Sequence, residues 1–325
     1  MAGSTPPFSL VIPTLNGGRT LPGLLRALED QTIQPAEKVA VDSGSTDGTR
    51  ELLQEAGFLV HRIEKKDFDH GGTRDLGISL TSAPVAVLLV QDALPRGPGF
   101  LEALVSPFRE DPLAAGVYGR QVPRPGGNPV LRERLRRWAA GRKEPRVQEP
   151  LTEEEFQALS PWERLERCSF DNVASAVDRR TWEDHPFGKR PFGEDLAWAK
   201  RVLLGGRRIY FEPRATVIHS HERSPWAEGK RLYCDHQNLA ELFSLVLLPG
   251  LQDAWRAMEH QRRAYHRLIQ ELPLSEQEKA RWEKWARWYA PAEALGTWLG
   301  ALSQRWKEKG RPWFRLVDRL LRSGI

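Results

Sequence analysis

The chain has 325 residues, 40% of them hydrophobic and 28% charged, with a formal net charge of +5. That is the balance of a soluble globular protein with a large core, and the mild positive excess suits an anionic ligand without choosing its kind. Two cysteines, Cys168 and Cys234, exclude a disulfide framework or a Cys-rich metal site, and no run approaches the roughly 18 apolar residues of a spanning helix.

Met1 to Ser9 carries no basic start followed by a long apolar run, so no leader is expected and the cytoplasm is the expected compartment. Phe8–Ile12 reads as a first strand. A turn at 13–18 follows, then a helix over 20–30 with Leu21, Leu24, Leu25 and Leu28 at helical spacing. Lys38–Val41 is a second strand ending at Asp42. The turn 43–48 supplies Ser, Thr and Asp groups that suit a helix cap, and the helix runs to about Ala56. Phe58–Ile63 is a third strand, and His70-Gly-Gly-Thr-Arg-Asp-Leu-Gly77 opens a helix ending near Thr81.

Val85–Val90 is an unbroken apolar run that stops at Gln91-Asp92-Ala93. Such a run reads as a strand buried on both faces of a parallel sheet, and ligands of such sheets sit at the carboxyl ends of strands. Asp92 is therefore either a working carboxylate or a loop cap before Pro95. The β-α alternation of the first hundred residues argues for a parallel sheet with helices on both faces.

A helix over 99–108 and a strand over 115–122 follow. Residues 123–161 turn rich in Arg, Pro, Gly and Glu, with a helical piece near 131–138, and read as a mobile excursion over the sheet edge. Strand character returns at 170–177. Gly193-Glu194-Asp195 begins a helix to about Leu204, stopped by Gly205-Gly206. Two short strands, 208–211 and 215–218, lead to His219-Ser220-His221. Beyond Ser224 four helices are expected, at about 228–247, 251–271, 275–289 and 292–307. Eight of the twelve tryptophans lie there, and Trp282, Trp285 and Trp288 are expected on one helix face.

Taken together, Ser9-Leu-Val-Ile-Pro-Thr-Leu-Asn16, Val41-Asp-Ser-Gly-Ser-Thr-Asp-Gly-Thr49, His70–Gly77, Gln91-Asp92-Ala93, Gly193-Glu194-Asp195 and His219-Ser220-His221 resemble the inverting family 2 glycosyltransferases, over residues 8–222. His-Gly-Gly-Thr-Arg and Gln-Asp-Ala most resemble bacterial rhamnosyltransferase-like members. The resemblance implies the GT-A fold, an α/β architecture with a mostly parallel central sheet, over 1–224, with 123–170 on the acceptor side. Residues 225–325 lie outside it and form a helical subdomain. One departure stands out: the fold's common Asp-x-Asp metal motif is Gln91-Asp92-Ala93 here.

What the resemblance implies for the site follows residue by residue. Asp42 accepts a hydrogen bond from the base of a nucleotide, and Pro13, Thr14, Asn16, Arg74, Gln91 and Asp92 complete the donor side. Asp92 and His219 hold Mg²⁺ or Mn²⁺, with His221, two residues on, as the other histidine that could serve. Asp195 is the general base, and Glu194 and Asn172 meet the acceptor. Structural alternatives stand beside these: a helix cap for Asp42, a surface ion pair with Asp75 for Arg74, a helix-dipole role for Asp195, and packing for Trp182.

The implied activity is transfer of a sugar from a nucleoside diphosphate, dTDP-rhamnose or a UDP-sugar, to a glycan or lipid-linked acceptor. No nucleic-acid partner is expected. The Trp-rich helices would serve peripheral contact with the inner face of a membrane, a homodimer, or their own core. Other classes are a sugar-nucleotide-binding scaffold without activity, supported by Gln91 and Ala93, and a nucleotidyltransferase, whose phosphate loop Thr14–Gly18 matches poorly. A dinucleotide-binding dehydrogenase is disfavoured, because no Gly-x-Gly-x-x-Gly follows the first strand.

Overall fold

A computed structural model describes residues 6–190, 192–310 and 312–323, so the first five residues of the stretch searched for a leader lie outside the described residues. The chain divides into two compact units. The first holds residues 1–124, 135–159 and 166–219. The second holds 125–134, 160–165 and 220–325, so the stretch 123–170 is shared between them.

The first unit opens with β1 (Phe8–Thr14), α1 (Leu21–Glu29), β2 (Glu37–Asp42), α2 (Thr49–Glu55), β3 (Leu59–Arg62), α3 (His70–Ser79) and β4 (Val85–Leu89). These strands pair in parallel, β1 between β2 and β4 and β3 outside β2. Every residue of β4 is buried, as the apolar run requires, each large side chain contributing about 1.5–3 kcal/mol by leaving water. On α1 the leucines predicted for one face, Leu21, Leu24, Leu25 and Leu28, all join the same core.

Next come β5 (Leu94–Pro95), α4 (Phe100–Val105), α5 (Pro107–Glu110) and β6 (Ala114–Val122). The helix expected over 99–108 is broken, because Pro107 cannot continue the hydrogen-bond ladder. The excursion carries α6 (Pro129–Arg137), β7 (Arg146–Gln148), α7 (Glu153–Ala158) and α8 (Pro161–Arg167). It is not wholly outside the sheet: β7 pairs antiparallel with a later strand.

Then follow β8 (Ala174–Asp178), α9 (Arg179–Asp184), α10 (Glu194–Leu204) and β9 (Arg208–Ile218). The sheet order is β3-β2-β1-β4-β8-β6-β9-β5, with β7 on β9. The two strands expected at 208–211 and 215–218 are one strand. Its register against β6 shifts between Glu212 and Thr216, and Pro213 sits in that irregularity, where a strand tolerates proline.

One inversion decides the site. β8 runs antiparallel between β4 and β6, with Leu89 opposite Ala174. Its amino end, preceded by Asp171 and Asn172, therefore lies beside the carboxyl end of β4. The parallel pair β6 and β9 ends at Val122 and Ile218 in register, and His219 N–H donates to the Val122 carbonyl at 2.9 Å.

The second unit contains α11 (Pro225–Phe243), α12 (Leu251–Glu271), α13 (Glu276–Glu308) and α14 (Pro312–Arg322). The two helices expected at 275–289 and 292–307 are one helix with Pro291 inside it. A missing hydrogen bond of about 3 kcal/mol is outweighed by the packing on both sides of it. A Cβ on Gly296 would lie 2.1 Å from the Gly229 carbonyl oxygen, so glycine permits the close approach of α11 and α13.

Trp282, Trp285 and Trp288 do not share a face: Trp282 is buried, Trp285 half-buried, and Trp288 is 67% exposed. At 100° per residue, a spacing of three turns each side chain 60° from the one before, so six residues carry the third tryptophan out of the core. Trp282 packs with Leu232, Tyr265, Ile269 and Tyr289, and Trp285 stacks on Tyr289 at 4.5 Å. No helix among the described residues is long and apolar enough to cross a membrane.

Candidate functional site

The carboxyl ends of β1, β2 and β4 lie side by side, with Thr14 opposite Asp42. Asp42 is fully buried. Its Oδ2 accepts from the Gly44 and Ser45 amides at 3.1 and 3.0 Å, closing its own turn. The residue before α2 is Gly48, in a left-handed conformation, and the turn 43–48 closes the helix start through Asp47, whose Oδ1 accepts from the Thr49 amide at 3.3 Å. Its polar side chains also reach across to the β1 loop. Ser45 Oγ accepts from the Asn16 amide at 2.8 Å, Asp47 from the Gly18 amide at 3.0 Å, and Asn16 Oδ1 accepts from the Thr46 amide at 3.0 Å. Asn16 holds φ 50°, a conformation asparagine tolerates, and its side chain stays exposed at the mouth of the two loops.

Gln91 explains the departure from Asp-x-Asp. Its Oε1 accepts from Thr14 Oγ1 at 2.6 Å and from the Leu15 amide at 3.0 Å, while its Nε2 donates to the Leu15 carbonyl at 2.9 Å. A carboxylate only accepts, so an aspartate here could not make the donated bond. Gln91 ties the β1 loop to the end of β4, and Pro13 and Thr14 are fixed with it.

Asp92 sits in the turn after β4 and is partly exposed. Its Oδ1 is 3.6 Å from His219 Nε2. Arg124 Nη2 donates to the Asp92 carbonyl at 2.6 Å and lies 3.8 Å from its Oδ2. His219 is 5% exposed, and its Nδ1 is 2.9 Å from Gln121 Oε1. A carboxylate oxygen and an imidazole nitrogen side by side are a donor pair suited to a borderline divalent cation such as Mn²⁺.

The third part of the site is built by α3 and α10. Arg74, expected on the donor side, is buried in α3 and paired with Glu194 at 3.0 Å; it is not paired with Asp75. Asn172 Nδ2 donates to the same Glu194 oxygen at 3.3 Å. Asp75 instead accepts from Trp182 Nε1 at 2.7 Å and from the Phe187 and Gly188 amides at 3.0 and 2.8 Å. Asp69 caps α3 through the Gly72 amide at 2.8 Å and also accepts from the Arg190 amide at 3.1 Å. A Cβ on Gly71 would lie 2.0 Å from the Gly188 carbonyl oxygen, so only glycine allows this contact. The His70–Gly77 motif is thus the platform that grips the loop leading into α10.

At the start of α10, Gly193 adopts φ 69°, and Glu194 and Asp195 occupy the first turn. Asp195 Oδ1 accepts from the Leu196 amide at 2.8 Å. Burial raises its pKa well above the ordinary aspartate value, the Glu194 and Asp171 charges raise it further, and the Leu196 amide and Arg74 offset only part. A carboxylate with raised proton affinity is suited to take a proton near neutral pH.

Three residues of this constellation lie outside the motifs, Asp69, Gln121 and Asp171, while Asp75 is the aspartate of His70–Gly77. Asp69 was legible as an N-cap before His70. Gln121 was visible only as a polar residue inside the apolar strand β6.

Residues 9–168 match the Glycosyl transferase family 2 model. The O-antigen chain rhamnosyltransferase RfbN of Salmonella typhimurium is 31% identical over 230 residues, 70% of this chain and 70% of the relative. The O-antigen chain rhamnosyltransferase WbaN of Salmonella anatum is 30% identical over 236 residues, again 70% of each. Among solved structures, the mannosyltransferase PcManGT from Pyrobaculum calidifontis, in complex with GDP-Man and Mn²⁺, matches with a TM-score of 0.51 at 17% identity, over 97% of this chain and 84% of the other. Glucosyl-3-phosphoglycerate synthase from Mycobacterium tuberculosis, in complex with Mn²⁺, UDP and glucosyl-3-phosphoglycerate, matches with a TM-score of 0.51 at 18% identity, over 74% and 81%. At these identities the two structures speak to the fold alone, the GT-A fold that the motifs imply.

Proposed function

The chain belongs to glycosyl transferase family 2 and is a glycosyltransferase, and on that premise we propose an inverting transfer from a nucleoside diphosphate sugar to a hydroxyl of a glycan or lipid-linked acceptor in polysaccharide assembly. The donor is dTDP-rhamnose in the first place, and a UDP-sugar in the second. The rhamnosyltransferase relatives support the sugar, and the laced loops of β1 and β2 around Asp42 support a nucleotide pocket made of Pro13, Thr14, Asn16 and Asp42.

Asp195 is the base. It takes the proton of the acceptor hydroxyl as the oxygen attacks the anomeric carbon and the bond to the diphosphate oxygen breaks, in one displacement. Its place in the first turn of α10, partly buried beside Glu194 and fixed by the Leu196 amide, is the observation that carries the reading, and burial with the Glu194 and Asp171 charges raises its affinity for that proton. Glu194, neutralised by Arg74 and bonded to Asn172, holds the acceptor side of the helix start in place.

We assign Asp92 and His219 to a divalent metal, Mn²⁺ or Mg²⁺. When bound, the ion supplies positive charge for the departing diphosphate. The partner of the second unit is the surface of an anionic membrane at the inner face of the cell. Exposed Trp313, Leu316 and Leu320 on α14, with Arg315 and Arg319 beside them, support this contact.

The test is release of nucleoside diphosphate and formation of glycoside from dTDP-, UDP- and GDP-sugars with and without each metal. Turnover with one donor class, lost in Asp195→Asn while donor binding persists, is expected. Equal turnover in Asp195→Asn would overturn the assignment of the base.

A further inference from the structure

Gln121 and Asp171 belong to no motif, yet they sit behind the histidine of the metal pair. His219 Nδ1 is 2.9 Å from Gln121 Oε1, and Gln121 Nε2 donates to Asp171 Oδ2 at 2.7 Å. Asp171 is itself fixed: its Oδ1 accepts from the Val173 amide at 2.9 Å, and its Oδ2 also accepts from Trp138 Nε1 at 3.2 Å. Gln121 and His219 are each 5% exposed.

The direction of this chain follows from hydrogen-bond chemistry and not from how an amide is drawn. A carboxylate only accepts, so Gln121 must turn its NH₂ toward Asp171. Its carbonyl is then the atom facing His219, and a carbonyl also only accepts. The hydrogen of the neutral imidazole is therefore held on Nδ1. Nε2 keeps the lone pair, and Nε2 is the nitrogen that lies 3.6 Å from Asp92 Oδ1. Two electron-rich atoms at that separation attract a cation and repel each other without one.

We propose that Asp171 and Gln121 are positioning residues that lock His219 in its Nδ1–H tautomer, with Nε2 presented as the metal-ligating atom next to Asp92. This rests on the metal reading above and adds to it the residues that decide which nitrogen binds. Outer partners of a ligating histidine commonly fix its ring and tautomer, and their loss typically weakens metal affinity about 10–100-fold.

Two substitutions test it. Gln121→Met keeps length and removes the acceptor. Asp171→Asn leaves the amide free to turn over, because an asparagine can donate where the carboxylate could not. Long-range ¹H–¹⁵N correlation spectra of the ¹⁵N-labelled metal-free protein report the protonated ring nitrogen of His219 directly, and Mn²⁺ titration followed by electron paramagnetic resonance reports affinity. The wild type is expected to show Nδ1–H. Both variants, folded by their melting curves, are expected to show Nε2–H in part or in full and a Mn²⁺ affinity at least tenfold weaker.

An Nε2–H signal in the wild type would overturn the proposal. So would variants that keep Nδ1–H and bind Mn²⁺ within twofold of wild type. Asp92→Ala separates the two readings, since it should abolish Mn²⁺ binding and leave the His219 tautomer unchanged. A wild type with Nδ1–H that binds no Mn²⁺ supports the lock and sinks the metal assignment.

Discussion

The molecule holds partly buried carboxylates in two places, raises the proton affinity of both, and surrounds them differently. In the helical unit, Glu293 accepts from the Tyr265 hydroxyl and lies 4.0 Å from Arg134, which in turn donates to the Tyr289 hydroxyl. Burial raises the pKa of Glu293, while Arg134 and the tyrosine hydroxyls pull it back. In the sheet unit, Asp195 has Glu194 and Asp171 as its charged neighbours, both of the same sign, and Arg74 is committed to Glu194. A partly buried carboxylate that accepts from a tyrosine hydroxyl beside an arginine has its partners supplied, whereas one with like charges beside it in the first turn of a helix is the one we propose for the chemistry.

The largest break of this contrast is Asp195→Asn. Loss of a positioned base should lower kcat by about 10²–10⁴-fold, measured as glycoside formed. The same change should stabilise the protein at neutral pH. Because the folded state holds this proton more tightly than the unfolded chain does, the group's contribution to stability is fully present below the unfolded pKa of about 3.9. It is lost as pH rises through the folded value. Asn cannot ionise, so the variant should gain on the wild type by about 1 kcal/mol between pH 4 and 7, read from denaturant midpoints. A variant that is both inactive and less stable would place Asp195 with the structural carboxylates.

Next is Gln91→Glu, which removes the bond donated to the Leu15 carbonyl. It should cost about 1–3 kcal/mol and weaken donor binding, measured by melting and calorimetry. Tyr265→Phe should cost about 1–2 kcal/mol, because Glu293 loses a donor, with turnover unchanged. The smallest effect is on the pH profile. Glu194→Gln removes a like charge adjacent to Asp195, so the acid limb of kcat/KM should move to lower pH.

Much of the sheet unit was legible because parallel buried strands read as plain apolar runs. Val85–Leu89 and Phe8–Thr14 could be little else, and their carboxyl ends locate Asp42 and Asp92. What the residues at those ends hold was less legible. Arg74 looked like a donor-side cation, but its partner Glu194 is 120 positions away, a distance no local pattern reports. Gln121 and Asp171 meet because β8 runs backwards between β4 and β6, a topology that no strand announces. In the helical unit Pro291 read as a boundary, and tertiary packing carries α13 through it. Trp282 and Trp288 looked alike in the sequence, and three-residue spacing separated them.

The central claim is that the carboxyl ends of β1, β2 and β4 carry a metal-assisted donor site beside a charge-loaded base. The most direct measurement is calorimetry of a dTDP-sugar into the wild type and Asp92→Ala, each with and without Mn²⁺. The account predicts tight binding only for the wild type with Mn²⁺, and a loss of at least tenfold in Asp92→Ala. Binding that is the same in all four conditions would contradict it.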